Sequence, residues 1–459
     1  MAEETTDLPR TLRAPGLRAS VRALARSTPG YAALLLVDAL VMVSELTLGV
    51  ILPWWITSRG GAGAVALYSA ALAVAMLVAM PLASPFGDRW GKARQIQWGT
   101  TVLGAIAAAY VLLAATDTFS LATLVGLGFV HVGARAFVAP ASEVIVTELV
   151  PPAHLPDGIR VRKAAHAISA IAGPLAAGLA LATLGVAGAL CVYGALVGLA
   201  CVAALRLPRP AAQTARHAGV RDWWDELVVG MAAKWRVPLE RGWTLVNFVM
   251  WIFQGPAVGM LIPIKVHALG LSGDWLGIAM SALAAGVLLG SLTGADFLVA
   301  RLGRYRVRIL VGVLEGLALA LVGLAAAPWL MVAALVAAGF CNACLGLIGA
   351  THRALAVPRA FRSRMVAAQA TATQLAGAIG PLLVGVALAR WNVDVVYTAF
   401  GLAMAPILLG FTLVPRFKEF LTMEHGQIVD WYAREYPEVF GAPARRAACA
   451  GAGEGGGTR

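Results

Sequence analysis

SPFGDRWGKAR, at residues 84–94, returns in weakened form as DFLVARLGRYR at residues 296–306. Two further stretches recur at nearly the same separation, about 210 residues: GPLAAG at 173–178 with GPLLVG at 380–385, and GVILP at 49–53 with GMLIP at 259–263. A nearly constant separation indicates that the chain holds two copies of one unit of about two hundred residues.

The composition is that of a membrane protein. Hydrophobic residues make up 59% of the 459 residues and charged residues only 13%, whereas a soluble domain carries roughly 25% charged residues. The net charge of +12 would suggest nucleic-acid binding in a soluble protein, but the basic residues lie almost entirely between apolar runs. We therefore expect a chain embedded in lipid, with no nucleic-acid partner.

Twelve apolar runs are long enough to cross a bilayer as helices, which takes about 20 residues each. We number these predicted spans 1 to 12 in chain order: 31–56, 63–83, 96–115, 119–141, 165–184, 187–205, 243–264, 277–299, 309–326, 329–350, 366–389 and 394–414. The runs are too long and too uniformly apolar for the alternating strands of a barrel. The predicted fold is all-α and integral to the membrane, with twelve transmembrane helices in two six-helix bundles, as in secondary transporters.

The basic residues predict the topology. With the N-terminus inside, the outside segments hold only Arg59, Lys265 and Arg390, only Arg135 lies within a span, and the rest of the 36 Lys and Arg are inside. The positive-inside rule then places both termini in the cytoplasm. The predicted divisions are a cytoplasmic tail (1–30), a first bundle (31–205), a cytoplasmic linker (206–241), a second bundle (242–414) and a cytoplasmic tail (415–459).

Two segments outside the spans have distinct compositions. Residues 222–236 of the linker predict an amphipathic helix whose aromatic residues suit the headgroup layer of the membrane. Residues 447–459 are rich in Gly and Ala and cannot build a core, which predicts disorder.

The loop after span 2 resembles the signature of the major facilitator superfamily, usually G-x-x-x-D-R-x-G-R-K, and residues 25–420 resemble its drug and siderophore exporters. Ser84 stands at the leading glycine and Ala93 at one basic position. The matching residues of the first copy are Asp88, Arg89, Gly91, Lys92 and Arg94, and those of the second copy are Arg301, Gly303, Arg304 and Arg306. Ala300 replaces the acid in the second copy, and we expect Asp296, one turn earlier, to substitute for it.

These loops are the predicted gates. A carboxylate among guanidinium groups at the cytoplasmic mouth can form ion pairs in one conformation and break them in another. The alternative for Asp88 and Arg89 is plain topological charge in a loop.

Gly173, Pro174 and Gly178 in span 5 resemble the exporter motif of drug–proton antiporters. Glycine and proline inside a span allow close helix approach and a bend, which suits a seam that opens and closes. Ordinary helix packing is the alternative.

Two acids in span 1 are the predicted proton carriers. Asp38 and Glu45 are seven residues apart and share a helix face, and a charge in hydrocarbon is costly unless it faces water or protein.

The resemblance places spans 1, 4, 7 and 10 around a central cavity. His131 and Arg135 of span 4 also share a face. We expect an Asp38–Arg135 pair, with Glu45 and His131 deeper; the alternative is a static ion pair that fixes spans 1 and 4.

The remaining polar residues of the spans are weaker candidates. Gln254 and Asn342 lie on cavity spans 7 and 10 and are predicted to contact substrate, with interhelical hydrogen bonding as the alternative. His166 and Gln374, on spans 5 and 11, are expected to pack rather than bind. Glu315 lies on span 9, which is peripheral in this architecture, and has no predicted role.

Enzymatic motifs are absent from the sequence. There is no G-x-x-x-x-G-K-[ST] loop, no H-E-x-x-H or other metal spacing and no G-x-S-x-G elbow. We therefore expect neither an enzyme nor a cofactor nor a metal site, and transport driven by a proton gradient.

The predicted function is proton-coupled export, by alternating access, of hydrophobic or amphiphilic small molecules such as drugs or siderophores. The chain is expected to act as a monomer in the bacterial inner membrane, its partners being substrate, protons and the bilayer. The alternatives are a symporter or a lipid or nutrient carrier on the same fold, and a membrane binding or sensor protein that does not transport.

Overall fold

The computed structural model describes residues 30–83, 91–150, 155–208, 220–358 and 361–440. In this part of the chain, ten helices are long and apolar enough to cross a membrane. Two of them are bent at glycines with positive φ, Gly61 (73°) and Gly185 (68°), and each is two spans joined at the bend. The predicted all-helical fold with twelve spans is thereby confirmed.

The helices extend beyond the predicted spans at several ends. Spans 1 to 6 are formed by Tyr31–Ala83 (spans 1 and 2), Lys92–Ala115, Leu121–Leu149 and Leu155–Ala204 (spans 5 and 6). Span 7 combines Pro238–Val258 with Leu261–Ala268, and span 8 combines Gly273–Leu289, a π-helical turn at Gly290–Gly294, and Ala295–Leu302. Spans 9 to 12 are Arg304–Leu324, Pro328–Leu347 with Ala350–Ala356, Arg362–Leu388, and Val393–Leu409 with the 3₁₀ turn Gly410–Leu413.

The spans alternate in direction, which defines two faces. We call the side of residue 30 and the linker the linker face, and the side of the bends at Gly61 and Gly185 the hairpin face. Contacts fix both levels: the Tyr31 hydroxyl donates to the Gly158 carbonyl (2.7 Å) at the linker face, and Arg59 pairs with Asp117 (2.5 Å) at the hairpin face.

The linker contains the helix Val220–Arg236, which packs against span 11. A Cβ on Gly230 would lie 2.1 Å from the carbonyl oxygen of Arg364, so only glycine allows this approach. Trp224, Val228 and Trp235 are exposed. The linker helix is thus fixed by one face to the second bundle and exposes these three apolar side chains; that it lies on the membrane stays a prediction.

Residues 417–440, predicted as part of a tail, form a packed cap of four short helices: Phe417–Thr422, His425–Ile428, Trp431–Glu435 and Pro437–Phe440. The ring of Tyr432 stacks between Phe420 and Phe440, at centroid distances of 6.0 and 5.9 Å. Trp243 of span 7 meets Phe417 and Phe420 edge to face. Aromatic burial of this kind supplies the core that orders the segment. Residues 447–459 lie outside the described residues.

The two bundles join toward the hairpin face. The buried apolar side chains there form one cluster with the core of the second bundle, whereas those at the linker face of the first bundle, such as Tyr31 and Ile145, form a cluster of their own. Trp54 and His267, at the hairpin ends of spans 1 and 7, meet edge to face at 5.7 Å.

Candidate functional site

Glu45, near the middle of span 1, is held by two basic side chains of span 4. Its Oε2 lies 3.1 Å from His131 Nε2, and its Oε1 lies 3.4 Å from Arg135 Nε. His131 and Arg135 reach one carboxylate because residues four apart lie on the same helix face. All three side chains are largely buried, where an ionised carboxylate requires such partners.

Asp38, two turns nearer the linker face, is held by span 5. Arg162 donates to both carboxylate oxygens, with Nε 2.7 Å from Oδ2 and Nη2 3.2 Å from Oδ1. His166 Nε2 lies 2.5 Å from Oδ2. This bidentate pair is the stronger of the two acid clusters, because two parallel charge-assisted bonds fix its geometry.

The predicted Asp38–Arg135 pair is wrong, and so is the expectation that His166 only packs. Both errors follow from helix ends. Span 4 continues to Leu149 instead of stopping at 141, which places Arg135 deeper, level with Glu45. Span 5 begins at Leu155 instead of 165, so Arg162 enters the bundle beside Asp38.

Arg162 is not among the residues predicted from the sequence, although the sequence holds a signal for it. Arg162 and His166 are spaced i, i+4, as are His131 and Arg135, and each pair faces one acid of span 1. The recurrence of a basic i, i+4 pair in successive spans could have pointed to two acid clusters instead of one.

Glu315 of span 9 is fully buried and faces inward, toward spans 7 and 10. Its Oε1 accepts hydrogen bonds from Gln254 Nε2 and from Asn342 Nδ2, the latter at 3.0 Å. Its Oε2 has no partner among the described residues. The two predicted substrate contacts are thus drawn together by an acid for which the sequence analysis found no role.

A cavity of about 290 Å³ extends from this amide pair toward the linker face, between spans 7, 9, 10 and 11. Two arginines and two tryptophans line it: Arg308, Arg353, Trp243 and Trp251. Four carboxamides line it as well: Asn247, Gln254, Asn342 and Gln369. Of the described residues that form its wall, none is acidic.

At the linker-face end of this cavity, a buried ion cluster joins the linker, spans 7 and 10 and the cap. Glu240 accepts from Lys234 Nζ (3.0 Å), from Arg353 Nε and Nη2 (2.7 and 2.6 Å) and from the Tyr432 hydroxyl (2.7 Å). Burial, together with neighbouring Arg353, lowers the pKa of Lys234 to about 8. Burial and the Glu240 charge raise the pKa of Tyr432 well above its ordinary value.

The loop after span 2 is described only in part. Asp88 and Arg89 lie outside the described residues. Gly91 precedes the helix Lys92–Ala115 as its N-cap, and Arg94 is exposed on that helix. The gating role predicted for this loop stays a prediction.

In the second copy, Arg301 stacks its guanidinium 4.4 Å from the ring centroid of Phe297. Gly303 has a φ of 77° and separates spans 8 and 9, with Arg304 as the first residue of span 9. Asp296 is exposed and forms no ion pair within the described residues. The expectation that it replaces the missing acid is therefore not met in this conformation.

The Gly-Pro motif of span 5 lies at two contacts. At Gly173, a Cβ would come 2.7 Å from Leu46 Cβ, and Thr47 Oγ1 donates to the Gly173 carbonyl (3.1 Å), so Gly173 packs on span 1. Pro174 lies inside the helix. At Gly178, a Cβ would lie 2.4 Å from the Gly277 Cα in span 8, so Gly178 touches the other bundle.

Known proteins share this architecture. A POT family transporter solved with a thioalcohol-conjugated peptide is 15% identical, with a TM-score of 0.67, covering 86% of this chain and 97% of that one. A mutant of the nucleoside transporter NupG is 16% identical (TM-score 0.62; 85% and 100% covered). A bacterial homologue of the human lysosomal transporter Spinster, inward-facing and unoccupied, is 15% identical (TM-score 0.60; 87% and 96% covered). At such identities the likeness extends to the fold alone.

No curated protein matches the chain in sequence. The sequence model of the Major Facilitator Superfamily, in contrast, matches residues 34–295 and 253–431, which together span most of the chain. The match includes both bundles, the acid clusters of span 1 and the cavity of the second bundle. The chain belongs to the Major Facilitator Superfamily, as a membrane transporter of that fold.

Proposed function

We propose that this transporter is a proton-coupled exporter of amphiphilic small molecules, working by alternating access. The observation that carries the proposal is the placement of Glu45, buried at mid-depth in span 1 and held by His131 and Arg135. A carboxylate, an imidazole and a guanidinium in contact form a group whose net charge changes by one when it takes up a proton.

The coupling step follows from that contact. While Glu45 is ionised, Arg135 and His131 hold spans 1 and 4 together. A proton on Glu45 weakens both bonds, because a neutral carboxyl no longer attracts the guanidinium. Protonation therefore loosens the junction of spans 1 and 4, and deprotonation restores it. Asp38, held by two bonds from Arg162, serves in this scheme as the fixed ion pair.

The direction of transport rests on sidedness. We assign the linker face to the cytoplasm of a bacterial cell, because the basic residues concentrate there. The bundle cores merge toward the hairpin face, and the cavity of the second bundle extends to the level of Arg353 at the linker face. Substrate loading from the cytoplasmic side fits this arrangement.

The test is substrate-driven proton movement in proteoliposomes, using a panel of macrolides, tetracyclines, dyes and siderophores with and without a pH gradient. We expect the parent to exchange a compound for protons and Glu45→Gln to lose this exchange while still binding the compound. Asp117→Asn, which breaks an exposed pair at the hairpin face, is the matched control and keeps the exchange.

Two results would contradict the proposal. Protons that move in the same direction as the compound would identify a symporter. A folded protein that binds compounds, moves none of them and shows no proton flux would point to a binding or sensor protein.

A further inference from the structure

Arg308 is a buried cation without a carboxylate partner. Its side chain is on span 9, 3% exposed, and it forms no ion pair with any described residue. Its Nη1 donates to the carbonyls of Leu345 and Ile348, at 2.9 and 2.5 Å, where span 10 breaks before Gly349. Its Nε is buried and has no hydrogen-bond partner. Two carbonyl dipoles thus offset only part of a full buried charge.

The charges next to Arg308 do not neutralise it. Arg353 lies over the same indole, so that the guanidinium carbons of Arg308 and Arg353 are 4.5 and 5.1 Å from the Trp243 ring centroid. Glu240 is the acid that pairs with Arg353, and it also binds Lys234 and the Tyr432 hydroxyl. Two cations on one acid, with Arg308 beside them, leave an excess of positive charge at the linker end of the cavity.

The cavity supplies further donors there. Gln369 accepts from Lys234 and Arg353 through its carbonyl oxygen, at 3.3 and 3.1 Å. Gln369 also lines the cavity. Guanidinium and amide N–H donors around such a cavity are the groups that recognise carboxylates and phosphates.

We propose that this cavity binds an organic anion, with the carboxylate or phosphate against Arg308 and a flat apolar part against Trp251. The volume suits a small ligand or one end of a larger one. The anionic group belongs either to a free solute or to a lipid headgroup. The inference rests on the proposed function for its biological meaning, since it names the substrate class, but the binding itself requires no transport.

The absence of acids among the described residues of the cavity wall also indicates the substrate class. A cationic drug would enter a site with two guanidinium groups and, among the described lining residues, no acid. A neutral compound would leave the Arg308 charge uncompensated. An anion is favoured over both because it alone removes that charge imbalance.

The test measures anion binding by the full chain, purified in detergent, as the rise in thermal midpoint that a ligand of the native state causes. The probes are matched pairs at constant ionic strength: benzoate against benzamide, and phenyl phosphate against phenol. Dihexanoyl phosphatidylglycerol against dihexanoyl phosphatidylcholine forms the lipid arm. We expect the anionic member of at least one pair to raise the midpoint and the neutral or zwitterionic member not to do so.

Two variants place the anion. Ala350→Glu puts a carboxylate into the cavity wall at the start of the helix Ala350–Ala356, where an acid suits the helix dipole, and leaves Arg308 in place. We expect it to weaken anion binding at least tenfold, while Ala350→Gln keeps it. Arg308→Gln should abolish binding, and Arg390→Gln, at an exposed arginine of the hairpin face, should not.

Each outcome of this binding experiment has a distinct meaning. A response to the phosphatidylglycerol headgroup alone assigns the site to lipid, and a response to benzoate or phenyl phosphate assigns it to a free solute. Equal responses to charged and neutral members, or no response to any anion up to about 50 mM, would overturn the proposal. Retained binding in Ala350→Glu would do so even if Arg308→Gln does not fold. Because no gradient is involved, failure here is distinct from failure of proton coupling.

Discussion

Gly178 and Gly277 meet backbone to backbone across the seam between the bundles, where a Cβ on Gly178 would lie 2.4 Å from the Gly277 Cα. The repeat reproduces this contact on the other side. Gly385 of span 11, the counterpart of Gly178 in the duplicated stretch, would place a Cβ 3.0 Å from the Ala66 Cβ of span 2. The duplicated stretches of sequence therefore occupy equivalent positions in the structure, one at each of the two contacts between the bundles.

Gly178→Ala is expected to open the seam toward the hairpin face. The clash is with backbone, which cannot rotate away, so spans 5 and 8 must separate. Spin labels at Thr118 and Arg390, both exposed at the hairpin face, should report a longer distance between the bundles, and transport should fall at least tenfold, about 1.4 kcal/mol.

Gly198→Ala is the matched control for the seam, because a Cβ at Gly198 meets nothing within 4 Å. It should leave the label distance and transport unchanged. An unaltered distance in Gly178→Ala would mean that the seam tolerates a methyl group and does not limit the closure of this face.

The extent to which the sequence predicts the structure differs between fold and site. The spans, their number and their repeat are readable because lipid imposes a length and a composition on every crossing helix. The pairing of charged side chains cannot be read from the sequence in this way, because it depends on how deep each residue lies in the membrane. The eight residues by which span 4 outruns its predicted end at 141, up to Leu149, are enough to move Arg135 from Asp38 to Glu45.

The arginines of the cavity wall were not predicted, for a related reason. Arg308 and Arg353 lie next to loops, so the topology count treated them as cytoplasmic charges, whereas both line the cavity. Charge at the edge of a predicted span can belong to the bundle or to the loop, and only the three-dimensional packing decides. Gln254 and Asn342, both predicted to contact substrate, do line the cavity, and Glu315 added the signal of an acid inside an otherwise apolar span.

A double-mutant cycle tests the corrected pairing of Asp38. We expect Asp38→Asn and Arg162→Met to be strongly non-additive in the free energy of unfolding, with a coupling of about 1–3 kcal/mol, because they remove two ends of one bidentate pair. Asp38→Asn and Arg135→Met should be additive within about 0.5 kcal/mol. Coupling to Arg135 instead of Arg162 would restore the pairing that the sequence suggested.

Tyr432→Phe tests whether the cap is fixed to the second bundle by Glu240. The change removes one hydrogen bond of 2.7 Å and keeps the ring that stacks on Phe420 and Phe440. We expect a loss of about 1–2 kcal/mol and earlier proteolysis within residues 417–440. Tyr436→Phe, on the same segment but without a contact to Glu240, is the control. Equal sensitivity of the two variants would show that the bond to Glu240 contributes no more than the bond between Tyr436 and Arg416.

Lys234 predicts a rise in stability at alkaline pH. Its pKa is lowered to about 8 by burial and by Arg353, against an ordinary value of 10.5. Between these two values the unfolded chain keeps a proton that the folded chain has lost, so unfolding takes up a proton and becomes less favourable as pH rises. Below about pH 8 both states are protonated and this contribution to the pH dependence disappears.

The measurement is the difference in stability between the parent and Lys234→Met from pH 7 to 10. The parent should gain on the variant above about pH 8, by at most about 3 kcal/mol when the unfolded state has also titrated. Glu240 still accepts from Arg353 and Tyr432 in the variant, so the cluster survives. Lys418→Met, which removes an exposed lysine of the cap, should follow the parent. A difference that stays flat from pH 8 to 10 would mean that attraction to Glu240 outweighs burial, and that the ammonium stays charged throughout this range.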